Sequence, residues 1–269
     1  MYDAHFGLTH RPFGETVAPS AYVALPSHEA VLRRLRYALE QFRGPAVLYG
    51  PPGSGKTLLA HRLSSQLGRP AVHMTFPALP AAELLAMVAE ELGELAAPPA
   101  SSLDALRHVR GRLAAMAVQG NRPLLVVDEA QAIRDPATFE ALRLLLNFAT
   151  DGSPDLSLLL VGATDFLFDL PPGLADRLAA RCLAGPLNGA ESSAYILGRI
   201  AAARTVAGAD LFSPAALTAL YHAADGLPRR LNRVADLSLL VAYARDLPFV
   251  DEDTIAIAAR EFQHGEIAA

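Results

Sequence analysis

The sequence predicts an α/β protein: a three-layer αβα sandwich on a five-stranded parallel sheet, followed by an all-helical subdomain of about four helices. Two observations carry this. Up to residue 187, short apolar runs alternate with stretches whose apolar residues recur at helical spacing, and after Asn188 only the helical pattern continues. A third bounds the class, since 52% hydrophobic against 19% charged residues in 269 excludes a disordered or collagen-like chain.

Strands are predicted at Pro45 to Tyr49, Leu124 to Val127 and Leu156 to Val161, where apolar runs are bounded by turn or charge signals. Weaker ones are predicted at Ala71 to Phe76 and Cys182 to Leu187. Helices are expected between them at Leu58 to Leu67, Ala81 to Leu92, Leu103 to Ala117 and Ala137 to Phe148. Strands alternating with helices imply right-handed crossovers that cover both faces of a parallel sheet. Pro98 to Ser102 reads as a loop between two helices.

Beyond Asn188, helices are predicted at Glu191 to Ala207, Pro214 to Ala224, Leu231 to Ala244 and Asp251 to Glu261. Ser213 before Pro214 is an N-cap followed by proline at the first helical position. Gly226 and Pro228 stop that helix, and Asp251 can cap the last one.

With 23 basic and 28 acidic residues the net charge is −5, so there is no general basic excess for gripping nucleic acid. Cys182 alone can form neither an internal disulfide nor a zinc ligand set, and reads as a small buried apolar residue. The eight histidines show no metal-ligand spacing and read as structural or surface residues. No signal peptide and no stretch of about 18 apolar residues is present, so a soluble cytoplasmic protein is expected.

The chemistry begins at Gly50-Pro51-Pro52-Gly53-Ser54-Gly55-Lys56-Thr57, which satisfies G-x-x-x-x-G-K-[ST] between an apolar strand and a helical pattern opening at Leu58. Glycines there let backbone N–H groups face phosphate oxygens, with the positive end of the following helix behind them. Lys56 is expected to reach the β- and γ-phosphates and Thr57 to ligate Mg2+. Leu124 to Glu129 is an apolar strand ending in two carboxylates. Asp128 is expected to hold Mg2+ and Glu129 to orient and deprotonate the attacking water.

Phosphate loop, acid pair and helical tail together resemble an AAA+ ATPase, and the flanks resemble its ExeA/GspA-like branch, which is related to the TniB and TnsC transposition ATPases. The matching residues are Phe6-Gly7-Leu8, Pro12-Phe13, Tyr22 and Ser27-His28, then Glu191, Tyr195-Ile196 and Arg199, then Gly226, Pro228-Arg229 and Asn232. The resemblance implies three parts: an N-terminal segment and helix at 1–40, a nucleotide-binding α/β domain at 41–187 and a helical lid at 188–269, with nucleotide between the last two.

It further implies ATP and Mg2+ as ligands, Thr164 as the γ-phosphate sensor, and Arg229 as a lid arginine touching the nucleotide. His28 and Tyr22 would seat the N-terminal segment near the adenine. A trans-acting arginine is expected near the end of a helix before the fifth strand, with Arg181 preferred over Arg177 because it should lie just before that strand. Such an arginine implies a homo-oligomer, as a ring or a filament.

The function so implied is a Mg2+-dependent ATPase that remodels or switches an unidentified protein partner in secretion, pilus or envelope assembly. It would act in the cytoplasm, or at the inner membrane through a partner, without a span of its own. One alternative is a transposition regulator on duplex DNA; another is an assembly switch with little turnover. Arg33, Arg34, Arg36 and Arg43 on the helix before the first strand, and Arg229, Arg230 and Arg233 on the lid, read first as solvated faces. Contact with DNA phosphates is their alternative role.

Overall fold

The structure, a computed structural model, describes residues 2–14, 22–41, 43–93, 99, 101–204 and 210–267, the last five of these by their backbone alone. Two expected elements therefore lie partly outside the described residues: Pro98 and Ala100 of the expected loop, and 205–207 of the first lid helix. The chain divides into an α/β unit (Ala30–Pro51 and Lys56–Ala184) and a helical unit (Met1–Glu29, Pro52–Gly55 and Gly185–Ala269).

In chain order the helices are α1 (Tyr2–His5), α2 (Pro26–Glu40), α3 (Lys56–Leu67), α4 (Ala81–Glu91), α5 (Ser102–Val118), α6 (Pro136–Leu145), α7 (Phe166–Asp169), α8 (Pro172–Ala175), α9 (Gly189–Ala202), α10 (Pro214–Ala224), α11 (Pro228–Ala244) and α12 (Glu252–Ile267). The strands are β1 (Ala46–Tyr49), β2 (Ala71–Met74), β3 (Leu124–Val127), β4 (Ser157–Gly162) and β5 (Ala180–Leu183). They form one parallel sheet in the order β2-β3-β4-β1-β5.

Position in the sheet explains sequence character. Every residue of β3 and β4 is buried, because helices cover both faces of a central strand and favour apolar or small residues throughout. The edge strand β2 buries only alternate residues, and the edge strand β5 buries a single one. On one face Val47, Leu125, Val127, Leu158 and Leu160 pack against Leu84, Val88, Val109, Leu113 and Leu142 of α4, α5 and α6. Each such side chain contributes about 1.5–3 kcal/mol by leaving water.

Two expectations are corrected here. The fifth strand runs from Ala180 to Leu183, not from Cys182 to Leu187, with Arg181 opposite Val47 and Cys182 opposite Leu48. Arg181 thus lies within the strand, rather than on a helix before it. Cys182 is the strand's only buried residue, so its apolar signal spans a single position, and Gly185-Pro186 end the pairing. The second correction concerns α2, which ends at Glu40; Arg43 lies beyond it and stacks over the Tyr37 ring at 5.0 Å.

In the helical unit, Phe6, Leu8 and Phe13 join one core with Ile196, Ile200, Leu220, Leu231, Leu239 and Ile255. The helix ends are capped as the sequence suggests: Ser213 accepts from the Ala216 N–H at 3.1 Å, and Asp251 from that of Thr254 at 2.9 Å. Asn188 does the same for α9, accepting from the Glu191 N–H at 2.9 Å. The helix α10 ends on Asp225 in the left-handed region, and Pro228 then opens α11.

Candidate functional site

The phosphate loop leaves the C-terminal end of β1 and enters α3 at Lys56. Gly53 has φ +79°, and a Cβ there would lie 2.8 Å from the Arg229 Cβ, so backbone conformation and close approach both demand glycine. The Arg229 N–H donates to the Gly53 carbonyl at 3.1 Å, which fixes the start of α11 on the tip of the loop within the helical unit. The Arg229 side chain is exposed. Within the α/β unit, Lys56 Nζ donates to the carbonyls of Gly50 and Pro51 at 3.0 and 3.1 Å. Leu58 follows in the first turn of α3 and is half-buried.

The acid pair sits at the end of β3. Thr57 Oγ1 donates to Asp128 Oδ2 at 2.6 Å, and Asp128 Oδ1 accepts the Glu129 N–H at 2.8 Å. Asp128 is buried, whereas Glu129 is exposed. Glu129 adopts φ 52° and ψ 38°, a left-handed conformation uncommon outside glycine, which turns the chain out of the strand into a short 3₁₀ turn at Ala130–Ala132.

Several features group around this pair that sequence reasoning missed. Gln131 Nε2 donates to Glu129 Oε2, and Gln131 Oε1 accepts the Ala163 N–H at 3.1 Å. The rings of His61 on α3 and His73 on β2 stack at 4.2 Å with 8° between their planes. Burial and the neighbouring His61 hold the His73 imidazole below its usual range, against the pull of the Asp128 carboxylate. The alternation of β2 was the available cue for His73; for Gln131 there was none.

The remaining expected residues lie as follows. Thr164 is exposed on the bend after β4. The two nitrogens Nη1 and Nη2 of Arg177 donate to Asn147 Oδ1 at 3.0 Å each, and exposed Arg181 donates to the Ala175 carbonyl at 3.1 Å. Tyr22 donates to Glu29 Oε1 at 2.6 Å. His28 is buried in the first turn of α2, and its Nε2 has no partner among the described residues. Burial holds that imidazole below its usual range.

The flanking motif residues have a structural purpose. Arg199 donates to the Tyr195 hydroxyl at 2.9 Å, Tyr195 donates to Asn232 Oδ1 at 2.9 Å, and Arg199 reaches the Gly14 carbonyl at 3.0 Å. Glu191 Oε1 accepts the Ser27 N–H at 2.8 Å. These bonds tie the N-terminal segment to α9 and α11 inside the helical unit.

Two features of the loop and the acid pair fit a nucleotide and a cation. Ser54 Oγ is buried with no hydrogen-bond partner among the described residues, a donor awaiting an acceptor. A threonine hydroxyl and a carboxylate 2.6 Å apart form the hard oxygen set that Mg2+ takes together with phosphate oxygens.

Residues 40–169 match the family model described as "AAA domain". The General secretion pathway protein A of Aeromonas hydrophila is 32% identical over 268 residues, which is 97% of this chain. The chain carries an AAA domain and is ExeA/GspA-like. It spans about half the length of that curated relative, 48%. Among solved structures, Cdc6p from Pyrobaculum aerophilum matches this AAA+ chain with a TM-score of 0.74 at 18% identity, covering 93% of this chain and 70% of that one. The Aeropyrum pernix ORC1 protein, solved in complex with DNA, gives 0.63 at 19%, covering 91% and 68%. The Thermotoga maritima RuvB Holliday junction branch migration motor gives 0.58 at 22%, covering 86% and 68%. At these identities the likeness is one of fold.

Proposed function

We propose that the protein binds and hydrolyses ATP with Mg2+, and that it powers a step of secretion or envelope assembly by remodelling a protein partner. One observation carries the chemistry: Thr57, the last residue of the phosphate loop, is bonded to Asp128, the first of the acid pair, across 71 residues of chain. The similarity to General secretion pathway protein A supports the setting.

In this reading the loop amides from Gly53 to Thr57 hold phosphate oxygens, and Lys56 exchanges its carbonyl partners for the β- and γ-phosphates. Mg2+ held through Thr57 and Asp128 would neutralise phosphate charge during transfer. Glu129, exposed and beside that pair, takes the proton of the attacking water. Thr164 senses the γ-phosphate, and Arg229, anchored at Gly53, couples the start of α11 to the nucleotide. Arg181, exposed on the edge strand β5, is the arginine offered to a neighbouring subunit in a homo-oligomer, where it would stabilise transition-state charge.

Steady-state ATP hydrolysis across a protein concentration series tests this, with Glu129→Gln as background control. Specific activity that climbs with concentration and is lost in Glu129→Gln and Lys56→Ala is expected. Activity unaltered in Glu129→Gln overturns the hydrolytic reading. Arg181→Ala should lower turnover with nucleotide binding nearly intact, and wild-type turnover in that variant removes Arg181 from the site.

A further inference from the structure

The exposed Glu129 carboxylate sits on a long side chain at a left-handed backbone position. The backbone there is pinned by its own N–H to Asp128 at 2.8 Å and by its carbonyl, which accepts the Ala132 N–H at 2.7 Å. Neither bond restrains the carboxylate. A group expected to take a proton from one water must be held to a fraction of an ångström, and an exposed glutamate left to itself samples several rotamers.

Gln131 supplies the restraint. A bond to a carboxylate two residues away would be ordinary surface chemistry if the glutamine were otherwise loose. Its other end, however, accepts the Ala163 N–H at 3.1 Å, so the amide is held between two elements. Ala163 directly follows β4, whose last residue Gly162 accepts the Gly50 N–H of the phosphate loop at 3.3 Å. A Cβ on Gly162 would fall 3.1 Å from Gln131 Oε1 and 2.8 Å from the Phe166 ring, so the glycine makes room for this glutamine. A continuous line of hydrogen bonds and backbone then joins the phosphate loop, the end of β4, Gln131 and Glu129.

We infer that Gln131 is a positioning residue: its amide fixes the Glu129 carboxylate and ties it to the end of β4, so that displacement of β4 or of the loop by nucleotide is felt at the proton acceptor. This rests on the ATPase reading above. Gln131 touches neither phosphate nor water in this role and acts through Glu129.

The test uses the full chain, with ATP turnover, equilibrium ATP binding and thermal melting measured on each variant. Gln131→Met keeps the length and removes the amide; Gln131→Glu keeps the acceptor for Ala163 and sets a second carboxylate against Glu129. Both should lower kcat by about tenfold or more with KM changed less than about twofold, the split expected when only the reacting group is misplaced. A kcat within about twofold of wild type in both variants overturns the inference, as does a KM that rises in step with the fall in kcat. If turnover vanishes in Lys56→Ala yet ignores Gln131, only this inference fails. If wild type shows no turnover above Glu129→Gln, the ATPase reading fails and takes this inference with it.

Discussion

Thr57 and Asp128 meet through a 2.6 Å hydrogen bond in which the hydroxyl donates to Oδ2, and that bond joins the start of α3 to the end of β3. The bond holds two hard oxygens where a divalent cation can bridge them to phosphate. In Asp128→Asn the amide oxygen can keep accepting the Glu129 N–H while the NH2 donates to the Thr57 hydroxyl, so both contacts persist and only the charge is removed. The variant's melting temperature should therefore stay near wild type, while Mg2+-dependent ATP turnover falls by about 100-fold or more. Titrating Mg2+ against turnover checks this; a wild-type Mg2+ response in the variant would mean that Asp128 does not hold the ion.

Gly53→Ala meets two obstacles at once. The φ of +79° is costly for alanine, and the added Cβ would lie 2.8 Å from the Arg229 Cβ. The expected cost is about 1–3 kcal/mol, with the bond from Arg229 N–H to the Gly53 carbonyl weakened. Thermal melting and equilibrium ATP binding on one preparation should show both falling. Unchanged binding would mean that the loop tip tolerates a different path.

How much of this was legible in the sequence follows from where each residue sits. Strands β3 and β4 announce themselves because both faces are buried and every residue is apolar or small. The strand β5 was misplaced because an edge strand that buries only Cys182 looks like a loop until its partner β1 is known. The loop and acid pair were legible because their chemistry demands fixed residue types at fixed spacing. Gln131 was not, since a glutamine after Glu129-Ala130 has no signature until the fold brings the Ala163 N–H to it. The flanking motif was legible as a resemblance, and its physical reason, a buried network around Tyr195, needed three dimensions.

Acid should loosen the helical unit through Glu191. Burial alone would raise its carboxyl, but bonds from Ser27 and the Asn188-capped helix start outweigh this and hold it below the usual carboxylate range. A depressed carboxyl stabilises the fold above its unfolded pKa of about 4.3, and that contribution is lost as pH falls through the lower folded value. His28, kept neutral by burial, also costs stability as pH falls below about 6.5, and because the two groups attract, the difference between wild type and Glu191→Gln reports the carboxylate together with its pull on His28. Melting temperatures from about pH 7 to about pH 3 should show the variant less stable at neutral pH and the gap closing in acid. A gap independent of pH would assign the effect of Glu191→Gln to packing.

The buried chain from Arg199 through Tyr195 to Asn232 makes a sharper prediction, because the tyrosine hydroxyl both accepts from the arginine and donates to the asparagine. Tyr195→Phe keeps the ring, and with it the Arg199 guanidinium at 5.8 Å over the ring centre, but removes both bonds and leaves two buried polar groups short of a partner. The cost should be about 1–3 kcal/mol in urea unfolding at unchanged m-value. Asn232→Ala should cost a similar amount alone, yet the double variant should lose distinctly less than the sum, since the second change removes a group the first has already orphaned. Strict additivity would show that the two bonds act independently and that the N-terminal segment is held by its apolar residues Phe6, Leu8 and Phe13.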